Sequence, residues 1–289
     1  MDKKGAVITG GGSGINLAFA KAIRAKGYTV VVGDIALHHE ASEWLLTTDK
    51  DGGPTVVFEH TDVIVLAQLE RLFDVFAERI GGVPNIIVAG AGVYEASTAG
   101  FWNDEDLDSH YKVLDINLVH PIQLTRIAIR RLRRANKPGV ILHESSIVAL
   151  EPSVVLPLYA SSKAGLSHFV RSMAQLEEMA GIKVVAVAPG IVDTPLFRDH
   201  PQALDQIDIT TDFLLPPDEV VRAMLALVLD SKYRGGTVLE VNDIGSWREV
   251  QLLNDPGPQG RSKLPRAKAA GAITLVENAL ARDGGAYKE

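Results

Sequence analysis

The chain has 289 residues, 46% of them apolar and 22% charged, with no cysteine and a formal net charge of −7. Apolar material on this scale supplies the core of one large α/β domain, while the negative balance argues against nucleic acid or an anionic membrane surface as partners, since both select basic patches. The missing cysteines exclude disulfides, thiolate catalysis and cysteine-ligated metals.

No apolar stretch reaches the roughly 20 residues that span a bilayer. Met1-Asp2-Lys3-Lys4 runs straight into the first apolar segment, which leaves no signal peptide to expect, so a cytoplasmic location is expected.

Seven apolar runs, at 6–9, 29–34, 55–59, 85–89, 140–144, 183–188 and 238–241, alternate with helical patterns. Continuous rather than alternating apolar runs suit strands covered on both faces. The expected fold is therefore α/β: a Rossmann-type doubly wound sheet of seven parallel strands in three α/β/α layers, forming a single catalytic domain over residues 1–250. Two regions break the pattern. Residues 193–217 carry apolar side chains among four prolines and read as a mobile substrate lid, with a packed surface loop as the alternative. Residues 251–289 form a C-terminal extension with a linker at Asp255-Pro256-Gly257-Pro258 and a helical pattern over 267–282 interrupted by Gly271. Docking on a partner subunit and partial disorder both remain open for it.

The first apolar run leads into Thr9-Gly10-Gly11-Gly12-Ser13-Gly14-Ile15-Asn16 and then a helical segment, an order that presents backbone N–H groups and a helix dipole to an anion. Asp34 follows Gly14 by twenty residues, at the end of the second run, where a carboxylate accepts hydrogen bonds from the ribose hydroxyls of a dinucleotide. A tight surface turn with a solvated Asp is the plain alternative. Further on, Tyr159-Ala-Ser-Ser-Lys163 sets a phenol and an ammonium one helical turn apart on one face. A positive neighbour favours phenolate, which makes the pair a candidate acid or base. Ser146 precedes Tyr159 by thirteen residues, just past the fifth run. Pairs such as His38-His39-Glu40 and His143-Glu144 lack the second histidine of a zinc helix, so no metal is expected. The arginines at 130, 131, 133 and 134 read as a solvated helix end.

Taken in order, Thr9 to Gly14, Asn117, Ser146, Tyr159, Lys163 and Pro189-Gly190 with Thr194 resemble the motifs of the short-chain dehydrogenase/reductase family, and the likeness spans residues 5 to about 245. Within that family the chain is similar to the NAD-dependent branch that includes hydroxyprostaglandin dehydrogenase. The resemblance implies that Asn117, Ser146, Tyr159 and Lys163 are catalytic. It also implies a dinucleotide held by Gly10, Gly12, Ser13, Gly14, Ile15, Asp34, Asp62, Val63, Ala89, Gly90, Ala91, Tyr159, Lys163, Pro189, Gly190, Val192 and Thr194. For Asp62 an ordinary loop carboxylate is an equal alternative. By the same likeness, Tyr159 takes the proton of a substrate hydroxyl, Ser146 holds the same oxygen, and Lys163 lowers the phenol's pKa and binds the nicotinamide ribose.

Three positions depart from the family pattern: Asn16 stands in place of the third glycine, Ala89-Gly90-Ala91-Gly92 in place of Asn-Asn-Ala-Gly, and His120 in place of a common glycine. Pro121 has no N–H for the carbonyl of Asn117, its i−4 partner, so a bend is expected there. The function expected is hydride transfer between NAD(H) and a secondary alcohol or ketone, lipophilic and of small to medium size. An NADPH-dependent biosynthetic ketoreductase is one alternative, which Asp34 disfavours. A dinucleotide-binding regulatory protein without turnover is another, which the intact Ser146, Tyr159 and Lys163 disfavour. A homodimer or homotetramer, a small-molecule substrate, no nucleic acid and no membrane complete the expectation.

Overall fold

The computed structural model describes residues 4–48, 50–95, 101–102, 111–199, 212–251, 277–278 and 280–282. Eight strands form one sheet: β1 (Gly5–Thr9), β2 (Thr29–Asp34), β3 (Val56–His60), β4 (Ile86–Ala89), β5 (Gly139–Glu144), β6 (Ile182–Pro189), β7 (Val238–Asp243) and β8 (Ser246–Glu249). Their spatial order is β3-β2-β1-β4-β5-β6-β7-β8, so the order reverses between β1 and β4. Helices α1 (Gly14–Ala25), α2 (His39–Thr48), α3 (Leu66–Arg79), α4 (Lys112–Leu114), α5 (His120–Arg134), α6 (Pro157–Ser172), α7 (Leu176–Ala180), α8 (Pro195–Arg198) and α9 (Pro217–Leu229) connect them.

Period-2 alternation divides each central strand between two helix layers. Val7, Val31, Ile87, Ile141 and Val184 meet Leu72, Phe76, Leu124 and Leu132 of α3 and α5. Their neighbours Ile8, Val32, Val88, Leu142 and Val185 meet Phe19, Ile23, Val220 and Met224 of α1 and α9. Both sets are apolar, which is why the runs in the sequence are continuous.

The sheet has one strand more than the seven expected. Past Asp243 the chain turns at Gly245 (φ 71°) and lays β8 antiparallel on β7, pairing Val241 with Trp247 and Leu239 with Glu249. Residues 246–249 are mostly exposed and carry no buried apolar run, so the sequence pattern that marks interior strands misses them. The hairpin is fastened from below: the buried Glu219 of α9 accepts hydrogen bonds from the Gly245 N–H at 2.9 Å and the Trp247 indole N–H at 2.7 Å, and is paired with Arg222.

Much of the expected lid, residues 200–211, lies outside the described residues; on its flanks α8 forms a single turn and Leu215 bridges to Val192. Of the C-terminal extension, Leu280 is buried in the same apolar cluster as Val170 and Leu176, while residues 252–276 lie outside the described residues. Among the described residues no helix is long and apolar enough to cross a membrane.

Glu219→Ala strips two N–H donors of a charged acceptor. We expect urea unfolding to show a loss of about 2 kcal/mol, the usual scale for hydrogen bonds to a charged group.

Candidate active site

The carboxyl ends of the parallel strands open a cleft of about 830 Å³ at the reversal between β1 and β4, the position that open α/β sheets use for ligands. One half of it is built from the glycine turn and Asp34. Ser13 precedes α1 without a side-chain cap, and the first turn of α1 carries no acidic residue. The leading N–H groups of α1 are thus left to an anion from outside, and Gly10, Gly12, Ser13, Gly14 and Ile15 all line the cleft beside them. Asp34 ends β2 and accepts from the Gly12 N–H at 2.8 Å. Gly12 is obligatory here, because a Cβ would lie 2.1 Å from the Ala36 carbonyl oxygen and 2.8 Å from Asp34 Oδ2. Burial raises the Asp34 carboxyl, and the N–H groups of Gly12, Ala36 and Ile35 oppose the rise.

Asp62, Val63, Gly90, Ala91, Pro189, Gly190, Val192 and Thr194 also line this half. Asp62 Oδ1 is engaged locally by the Ile64 N–H at 3.2 Å, and the Thr194 hydroxyl donates to the Val192 carbonyl at 3.3 Å. Ala89 is the exception among the expected contacts. It is a buried strand residue packed in the α3/α5 core, behind the cleft wall that Gly90 and Ala91 form.

The other half brings Ser146, Tyr159 and Lys163 together. Adjacent serines in extended chain face opposite ways. Ser145 accordingly turns away, donating to the Lys163 carbonyl at 3.1 Å and meeting Ser167 Oγ at 2.7 Å, while Ser146 faces the Tyr159 phenol. The Lys163 ammonium lies 5.6 Å from the Tyr159 ring centre and donates to the Glu144 carbonyl at 2.8 Å. Burial pushes the phenol up, Ser146 opposes that, and Tyr94 and Glu144 add to it. The lowering expected from Lys163 is not what acts on the phenol here. Lys163 is itself pushed down to about 8 by burial, with Glu144 as the group that supports its charge.

Asn117 sits behind this surface in a π-helical turn, Asp115–Val119, where the His120 N–H reaches back to the Asp115 carbonyl. The π-helical turn lies where Pro121 leaves the Asn117 carbonyl without its i+4 donor. The Asn117 side chain holds the chain after β4 at both ends of one peptide: Oδ1 accepts from the Val93 N–H at 2.9 Å and Nδ2 donates to the Val93 carbonyl at 2.8 Å.

Two of the departures from the family pattern are one event in space. Asn16 is buried, and its Nδ2 donates to the Gly90 carbonyl at 3.0 Å. A Cβ on Gly90 would fall 2.3 Å from that amide. An amide rooted in α1 thus fills the volume beside position 90, and the glycine has moved to the opposite wall. His120, the third departure, ties the same place together: its Nδ1–H donates to the Ile116 carbonyl at 3.0 Å and Nε2 lies 3.1 Å from the Thr9 hydroxyl, which accepts from the Gly90 N–H at 3.1 Å. Burial lowers His120 to about 4, so the ring is neutral and can accept.

Sequence reading did not single out Glu95, Tyr94 or Glu144 for the site. Glu95 is buried; its Oε2 accepts from the Tyr159 N–H at 2.8 Å and its Oε1 from the Phe101 N–H at 3.2 Å, which seats the first turn of α6. Tyr94 packs edge-on against both Tyr159 and Phe197 at ring separations of 5.4 and 5.5 Å. The signal for Glu144 was a carboxylate closing an otherwise apolar run two residues before Ser146.

The family model described as short chain dehydrogenase matches residues 4–205. A cis-4-hydroxycyclohexanecarboxylate dehydrogenase of Sinomonas cyclohexanicum is 30% identical over 241 residues, 82% of this chain and 94% of its own. The 3beta-hydroxysteroid dehydrogenase 1 of Eggerthella lenta is 30% identical over 245 residues, 83% of this chain and 92% of its own. In a crystal structure, a short-chain type dehydrogenase/reductase from Mycobacterium marinum shares the fold with a TM-score of 0.70 at 24% identity, over 83% of this chain and 94% of that one.

Gly90→Ala drives a methyl group into Asn16, and we expect a loss of about 1–3 kcal/mol in chemical unfolding, the range for overpacking. Adding Asn16→Gly vacates the space and returns most of that loss; a double variant no more stable than Gly90→Ala contradicts the exchange.

Proposed function

This chain belongs to the short-chain dehydrogenase family and is a nicotinamide-dependent oxidoreductase of alcohols and carbonyls, and on that premise we propose that it uses NAD(H) on a lipophilic secondary alcohol or its ketone. The observation that carries this reading is the junction of two unlike half-clefts at Ser146 and Tyr159. On one side lie the uncapped α1 terminus and Asp34. On the other side Tyr94, Leu156, Tyr159 and Phe197 form an apolar cluster with Val148, Ile191 and Leu196 packed on it. Trp102 is two-thirds exposed and donates its indole N–H to the Val154 carbonyl at 2.7 Å. The two relatives named for a cyclohexane alcohol and a steroid alcohol support a ring-bearing substrate.

In this reading the α1 terminus receives the pyrophosphate, Asp34 the adenine-side ribose, Lys163 the nicotinamide-side ribose, and Val192 with Thr194 the carboxamide. When bound, NAD⁺ supplies a hydride acceptor for the carbinol carbon. Tyr159 takes the hydroxyl proton during oxidation and returns it during reduction, and Ser146 donates to the same oxygen. A phenol raised by burial is held protonated, which favours its service as an acid to a ketone; oxidation speeds up and reduction slows as rising pH ionises it. Lys163 is the one cation among the described lining residues, which supports a neutral substrate. Exposed Val119 and Ile122, at the start of α5, support packing of a second copy in a homodimer or homotetramer. A cytoplasmic location fits the same reading.

Asp34 faces the ribose without a lysine or arginine on the described lining beside it, so a 2′-phosphate meets a half-buried carboxylate. We expect NADPH to bind at least about tenfold more weakly than NADH, a difference of about 1.4 kcal/mol, and Asp34→Ala to narrow the gap; equal dissociation constants by fluorescence titration contradict NAD preference.

Tyr159→Phe removes the proton-transfer group and leaves most dinucleotide contacts in place. Its kcat should fall at least about 100-fold with NADH affinity close to wild type.

A further inference from the structure

Glu144 closes β5 two residues before Ser146, so in extended chain both side chains leave the strand on the same side, toward the cleft that both line. Its carbonyl seats the Lys163 ammonium at 2.8 Å, and its carboxyl shares the same floor: Oε1 is buried and has no hydrogen-bond partner. A buried carboxylate oxygen without a donor is costly unless a charge of opposite sign or a proton answers it. Lys163, held by the carbonyl of the same residue, is a charge of that sign on the same floor. We propose that Glu144 is a positioning residue for proton transfer: its carboxyl, on the floor of the cleft that Lys163 and Tyr159 line, sets the charge that the ammonium and the Tyr159 hydroxyl meet. The inference rests on the reading of Tyr159 and Lys163 as the proton-transfer pair.

Lys163 of α6 and the Asn16 amide of α1 act on this carboxyl, and it acts in turn on Tyr159 of α6. His120 of α5 and His143 of β5 stand in the field of Lys163. Burial holds His120 at about 4 and His143 at about 3, so both are neutral in the working range. Burial pushes Glu144 up to about 7, with Lys163 and the Asn16 amide opposing the rise. Below that pH the carboxyl is neutral and adds nothing to the field at Lys163 or at the phenol. Above it the carboxylate answers the ammonium and raises both Lys163 and Tyr159. The chain therefore carries a charge two residues from Ser146 that titrates in the range where the enzyme works.

Glu144→Gln keeps the shape and removes the charge. In the NAD⁺-linked oxidation, the pH limb of kcat should move to lower pH by about one unit, the lower end of the effect of a nearby charge, with the alcohol KM unchanged. Glu144→Asp keeps the charge and should leave the limb in place, whereas a merely structural role scales kcat equally at every pH in both variants. A limb that superimposes for wild type and Glu144→Gln overturns the proposal. A second measurement needs neither cofactor nor substrate: in ¹³C-carboxyl NMR of glutamate-labelled protein, the resonance lost in Glu144→Gln should titrate near neutrality and move to higher pH in Lys163→Met. A titration in the ordinary carboxylate range overturns the proposal even if no alcohol is turned over, and wild-type inactivity on every alcohol with normal Glu144 titration counts against the substrate reading alone.

Discussion

An ammonium buried under a phenol is the interaction on which the site depends. Lys163 is 6% exposed, and a lysine removed from water keeps its proton only if acceptors meet it. Glu144 supplies one, its carbonyl at 2.8 Å, and the charge of its carboxyl supports the ammonium from further off. The helix that carries Lys163 is fixed at both levels of this contact. Ser145 bonds to the carbonyl of Lys163 and to Ser167 one turn on, and Glu95 takes the N–H of Tyr159. Acid–base geometry is thus set by the end of β5 and by the segment after β4, neither of which belongs to the helix itself.

The dinucleotide half obeys a different constraint, close approach of backbone to backbone. The glycine turn, the end of β4 and the π-helical turn before α5 converge on Gly90, which bonds to Thr9 through its N–H and to Asn16 through its carbonyl. His120 closes the ring by bonding Ile116 and Thr9. Moving the side chain from one wall to the other preserves the filled volume while changing its root. Packing density tolerates such an exchange because it conserves volume and the one hydrogen bond that a buried carbonyl requires.

These two halves meet at the carboxyl ends of β4 and β5, where the apolar cluster around Tyr94 begins. Tyr94 touches both Tyr159 and Phe197, so the apolar wall of the cleft also raises the phenol. A change in the polarity of that wall is therefore felt at the Tyr159 hydroxyl.

The parallel sheet was legible in the sequence because buried strands must be continuously apolar, and Tyr159 with Lys163 because helical spacing puts them on one face, while the choice of Ser146 over Ser145 came from the family resemblance. Asp34 at the end of the second run followed from the same strand–turn–helix order. The exposed edge strand β8 was not legible, since Ser246–Glu249 buries little and leaves no periodic trace. Nor was the pairing of Asn16 with Gly90, two departures 74 residues apart that read separately as losses. Only the tertiary structure turned Ala89 inward, spent Asn117 on Val93, and brought Glu144 to the cleft that Lys163 lines. Sequence spacing decides which face of its own element a residue occupies, while the charges and volumes it meets there come from elements far along the chain, and those decide its protonation.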